Sequence, residues 1–139
     1  MIPSVIDTGE YKATKKAKKM SAYKLLGKEP SEAFKRETGG YITKIAITKR
    51  ILKGKVWKRF VTRYNLLFDT NLTIRKNYLE DKYNLKKMTT REFLDVIGDK
   101  ERAILCLKSL VLIPDEYLTK EDVKDIKMTA EFLVDKFYD

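Results

Sequence analysis

The stretch KVWKRFVTRYNLLF, Lys55 to Phe68, decides how the chain is read. Val56, Phe60, Val61, Tyr64, Leu67 and Phe68 recur at helical spacing with Trp57 beside them, and at about 100° per residue they gather on one side. Lys55, Lys58, Arg59, Thr62 and Arg63 fall on the other side. The pattern predicts an amphipathic helix with a wholly basic outer stripe. No carboxylate occurs between Lys44 and Phe68. A solvated helix face normally mixes both signs, because Glu–Lys pairs support a helix and cations alone repel. A stripe of one sign is therefore costly unless something anionic lies opposite; the plain alternative is a solvated lysine-rich face. Four cations along about two turns span roughly 12 Å, a reach that suits successive backbone phosphates.

C-terminal to this helix, Asp69-Thr70-Asn71 reads as a turn with Thr70 as N-cap, followed by Leu72, Lys76, Leu79 and Tyr83 at near-helical spacing. Arg75, Lys76, Lys82, Lys86 and Lys87 extend the positive surface. Thr89 with Glu92 is a capping box that opens a helix through Phe93, Leu94 and Ile97, which Gly98 ends. Asp99 is placed to cap the next helix, carrying Ala103, Ile104, Leu107, Leu110 and Val111 up to Pro114. Thr119 and Asp122 start a last helix with Val123, Ile126, Ala130, Leu133, Val134 and Phe137 on its apolar stripe. Cys106, in an apolar stretch, reads as a buried inert thiol.

N-terminal to it the signals are weaker. Residues 41–48 are β-branched and partly alternating, so a short strand or hairpin near 41–53 competes with a helix carrying Ile42, Ile45, Ala46 and Leu52; the helix is preferred. Gly54 between two basic segments has the outline of a helix-turn-helix, without an Asn or Gln placed to read bases. Residues 1–40 read as a basic arm, extended or partly helical, with Lys12, Lys15, Lys16, Lys18 and Lys19 around a thin stripe of Ala13, Ala17 and Met20. Such a segment orders itself against an anionic or protein surface. Gly27, Pro30 and Gly39-Gly40 punctuate its approach to the core, and Ser31 opens a short turn through Phe34. The expected fold is mainly α: an arm over 1–40 and a single small helical bundle over 41–139, with a basic centre (41–87) and a mildly acidic base (88–139).

Charge and composition narrow the function. The 139 residues are 43% hydrophobic, enough for a core, and carry a net charge of +10. Residues 1–87 hold 22 Lys and Arg against 8 Asp and Glu, whereas residues 88–139 hold 8 against 12. This split assigns a polyanion to one half and an ordinary solvated surface to the other. With no histidine and one cysteine, the chain has no Ser-His-Asp or Cys-His nucleophile system, no His-based or Cys-rich metal site and no internal disulfide. Pro114-Asp115 followed by Asp125-Ile126-Lys127 has the spacing style of a PD-(D/E)xK nuclease, but acid-x-Lys triplets arise about three times by chance here, and 120–137 reads as a helix where such enzymes use a strand. Neither a phosphate-binding nor a dinucleotide glycine motif is present, so no cofactor is nominated. The longest apolar runs, such as Leu110-Val111-Leu112-Ile113, fall short of the roughly 20 residues of a membrane span, and Met1 to Asp7 lacks the pattern of a signal peptide; an intracellular or virion-internal setting is expected.

The leading expectation is a non-enzymatic protein that contacts the phosphate backbone of DNA or RNA, largely without base specificity. The candidate contacts are Lys12, Lys15, Lys16, Lys18, Lys19, Lys55, Lys58, Arg59, Arg63, Arg75 and Lys76. Trp57, Tyr41, Tyr64 and Tyr78 are candidates for base stacking, though Trp57 and Tyr64 fall on the apolar side. Two alternatives stand beside it: a virion or ribonucleoprotein subunit whose arm lies along neighbouring subunits, and a small regulator that docks on a nucleic-acid enzyme.

Overall fold

A computed structural model describes residues 19–138, with side chains described as far as Leu133. Among these residues the structure is mainly helical: α1 (Ala22–Leu26), α2 (Glu32–Lys49), α3 (Lys53–Phe68), α4 (Leu72–Lys82), α5 (Thr90–Ile97), α6 (Lys100–Leu112), a 3-10 turn (Asp115–Tyr117) and α7 (Lys120–Tyr138). Helix α6 is the hub. It packs against α2, α3, α5 and α7, and its Ala103, Cys106 and Leu107 are fully enclosed. Against it α3 sets Val56, Phe60, Tyr64 and Leu67, each with 0% exposure, so the face read as apolar is the core face. Trp57, Phe60, Tyr64 and Phe68 form a ladder of edge and tilted ring contacts along α3, at 5.4, 5.8 and 4.8 Å between centroids.

Residues 41–49 are helical, and the segment 41–53 holds no strand or hairpin. It continues α2 as far as Lys49, where Arg50 takes a left-handed conformation (φ 55°) and ends the helix. The bend between α2 and α3 lies at Arg50–Leu52, and Gly54 sits inside α3. Gly39 and Gly40 do not break α2 either. Each costs a helix interior about 1 kcal/mol relative to alanine, and the buried row Phe34, Thr38, Ile42, Ile45 and Ala46 outweighs that.

Residues 20–40, read as the later part of the arm, pack onto the helical core. Ala22 and Phe34 are buried, and Asp95 on α5 clamps the entry segment by accepting from the Tyr23 hydroxyl (2.7 Å) and the Ser31 amide (3.0 Å). Burial and that carboxylate push the Tyr23 phenol well above its ordinary value. Lys28 Nζ donates to the carbonyls of Asp95 and Val96, satisfying the C-terminal end of α5. Residues 1–18, with the stripe residues Ala13 and Ala17, lie outside the described residues.

Local capping follows the sequence closely at α5 and α7. Thr89 and Glu92 form the reciprocal capping box, Gly98 ends α5 at φ 73°, and Thr119 and Asp122 exchange the same two bonds. Two caps differ. Asn71, not Thr70, accepts from the first turn of α4, because Asn71 is the extended residue whose Oδ1 faces the Ile74 amide. Asp99 flanks α6 but makes no capping hydrogen bond; its backbone (ψ 47°) is not extended. On α7, Ala130 is buried with Val123, Ile126 and Leu133 half-buried, while the side chains of Val134 and Phe137 lie outside the described residues.

Candidate nucleic-acid interface

Helix α3 presents Lys55, Lys58 and Arg59 to solvent in its first two turns, with Lys53 exposed before them and Thr62 after. Thr62 Oγ1 is turned back onto the Lys58 carbonyl (3.1 Å), leaving the side chains of the stripe unencumbered. Arg50, after the end of α2, is exposed beside Lys55, and Lys44 is exposed on α2. Among the described residues, no ion pair joins any of these cations to a carboxylate. Each pair of exposed like charges at this spacing costs a few tenths of a kcal/mol, a repulsion that no ion pair among the described residues offsets.

Arg63 does not belong to it. The side chain is 1% exposed and points under the C-terminal end of α6, where Nη1 donates to Ser109 Oγ (3.1 Å) and Nη2 to the Ile113 carbonyl (2.8 Å) and Asp115 Oδ1 (2.6 Å). On the helix projection Arg63 lies only about 20° from Val56, the first buried residue of α3, so it sits at the seam and not on the outer face. That angular closeness was the available signal. What it lacked was the knowledge that three acceptors wait across the seam. Asp115 itself stays 58% exposed, and Lys49 and Arg59 line the shallow hollow beside the pair.

The other predicted contacts divide. Lys19 and Arg75 are exposed, although Arg75 also donates to Thr70 Oγ1 (3.3 Å) and lies 5.8 Å from the Phe93 ring centre. Lys76 is half-buried and tied to Glu80 (3.3 Å), whose carboxylate also accepts from the Met88 amide (2.7 Å); it faces the fold and not the solvent. Lys12, Lys15, Lys16 and Lys18 lie outside the described residues. Of the stacking candidates, Tyr64 is fully buried and Trp57 and Tyr41 are packed against the core, which leaves Tyr78 exposed. Tyr83, at the end of the same helix, is exposed as well.

The nuclease-like string does not converge. Asp115 is engaged by Arg63, and Lys127 on α7 pairs with Asp69 at the end of α3. Among the described residues no three Asp, Glu, Cys or His side chains are grouped to hold a metal ion. Cys106 is buried, with Sγ 3.8 Å from the Phe60 carbonyl, and burial pushes its thiol far above the ordinary value. No described helix is long and apolar enough to cross a membrane. Among known family models, curated proteins and solved structures, none matches this chain.

Proposed function

We propose that the protein binds nucleic acid through the phosphate backbone, with Lys55, Lys58 and Arg59 on α3 as the central contacts and Lys44, Arg50 and Lys53 flanking them. One observation carries the reading: Lys55, Lys58 and Arg59 are exposed on one face of α3, and among the described residues no ion pair joins them to a carboxylate. A polyanion laid along α3 removes their mutual repulsion and releases its own counterions, which makes association favourable without any base-specific bond. Duplex and single-stranded nucleic acids both offer this chemistry. Titrating mixed-sequence DNA and RNA against salt tests it. Three to five phosphate contacts give a fall in log K with log salt of slope about −3 to −4.5 on a duplex and about −2 to −3.5 on a single strand, and no measurable binding at about 50 mM salt overturns the proposal.

A protein-contact reading draws on a different feature. Ile47 and Leu52 are 71% and 75% exposed where α2 turns into α3, beside Arg50 and Lys55, an arrangement that also suits a neighbouring subunit with acidic and apolar groups. Ile47→Ser with Leu52→Ser separates the two: loss of self-assembly with nucleic-acid affinity unchanged favours the subunit role.

A further inference from the structure

The C-terminal end of α4 carries a second, chemically different surface. Tyr78 and Tyr83 are 62% and 49% exposed, and the Lys82 ammonium lies between them, 5.6 and 5.4 Å from the two ring centres. Lys86 and Lys87 follow on the surface, and Asp81 is the one exposed carboxylate within the segment 78–87. Glu80 is turned inward, held by Lys76 and the Met88 amide.

The backbone fixes this cluster from both sides. The Tyr83 amide still donates to the Leu79 carbonyl (3.2 Å), Asn84 reverses the chain in a left-handed conformation (φ 51°), and Leu85 drops into the core. The Lys86 amide then donates to the Met20 carbonyl (2.9 Å). Two tyrosines with only two side-chain torsions each are thus presented at low entropic cost, with cations beside them. Isolated exposed aromatic residues need no explanation; two rings sharing one ammonium and followed by two lysines form a platform.

From this arrangement we infer that Tyr78, Tyr83 and Lys82 form a base-stacking site that makes the protein prefer single-stranded over duplex nucleic acid. The inference rests on the phosphate-binding reading and adds the class of polymer. The rings stack on unpaired bases while Lys82, Lys86 and Lys87 meet the adjoining phosphates. A duplex keeps its bases within the stack and has to unpair them first, at a cost of a few kcal/mol, so it gains from the lysines alone.

Affinities of the full chain for a mixed-sequence 20-nucleotide single strand and for its duplex, at equal salt, test this. The natural protein is expected to prefer the single strand by about ten-fold or more. Tyr78→Ala with Tyr83→Ala abolishes that preference and leaves duplex affinity within about two-fold, while Tyr78→Phe with Tyr83→Phe keeps it, since a phenyl ring stacks as well as a phenol. Equal affinity of the natural protein for both polymers overturns the inference and leaves the phosphate reading intact; so does an equal loss on both polymers in the alanine variant. Absence of binding to either polymer removes both.

Discussion

Arg59 and Arg63 stand one turn apart on the same helix and meet opposite fates. Arg59 lies in the exposed row with Lys55 and Lys58, where among the described residues no ion pair holds it. Arg63 is enclosed, and the Ser109 hydroxyl, the Ile113 carbonyl and the Asp115 carboxylate satisfy it. The first contributes field to the outside and almost nothing to stability. The second contributes nothing to the field and locks the end of α6 onto α3. A count of positive residues treats the two alike, although one is available to a polyanion and the other is structural.

That contrast is most sharply broken at Arg63. Arg63→Ala is expected to lower stability by about 3 kcal/mol, from the lost hydrogen bonds and the void left by a long buried side chain, read as a shifted urea midpoint at unchanged slope. Nucleic-acid affinity of the folded fraction stays as it was. An Arg63→Ala protein that keeps its stability and loses affinity reverses the assignment.

Lys58→Ala with Arg59→Ala gives the opposite signature. Affinity falls with a salt slope reduced by about two, and stability changes by no more than about 0.5 kcal/mol, or rises slightly as repulsion is relieved. Isothermal binding at several salt concentrations, beside a denaturation curve, separates the two readouts.

Asp99 extends the comparison to the acids. It is half-buried, accepts no capping bond, and burial raises its pKa to about 6, with Arg102 partly offsetting the shift and Glu101 adding to it. Because the folded state holds this proton more tightly than the unfolded chain, with its ordinary value of 3.8, the stabilisation is complete below about pH 4 and lost as pH rises through 6. Asp99→Asn therefore flattens stability between pH 4 and 6 and makes the protein more stable at pH 7 by about 1 kcal/mol, after allowance for solvent screening; thermal denaturation across that range checks it. The smallest effect belongs to the exposed pair Asp69 and Lys127. Asp69→Asn changes stability by less than about 0.5 kcal/mol, and a larger loss in the same melts shows the pair to be better ordered than its exposure implies.

Most features that depend on neighbours in sequence were legible, the caps at Asn71 and Asp99 excepted. The Thr89–Glu92 box, the Thr119–Asp122 exchange, the Gly98 stop and the apolar face of α3 all arise from contacts within a turn or from a 3.6-residue period. The entry segment was not legible. Residues 20–40 are interrupted by Gly27 and Pro30 and follow a lysine-dense stretch, yet Asp95, more than sixty residues away, ties Tyr23 and Ser31 down. Residues 41–53 were ambiguous for the same reason, since β-branched residues accept either state until α6 supplies a surface for Ile42 and Ile45. In the candidate interface, Lys55, Lys58 and Arg59 were recognisable from the stripe alone, whereas the burial of Arg63, and of the Glu80 that Lys76 meets one turn on, was not.

The amino-acid sequence alone determined that this is a helical protein with a basic centre, because helical period, caps and net charge are sums over near neighbours. Only the tertiary structure decided which cations face outward and which are consumed within, and that the tyrosines at the end of α4 stand in solvent. An ion pair such as Arg63–Asp115 joins groups 52 positions apart, and its existence depends on where two helices cross.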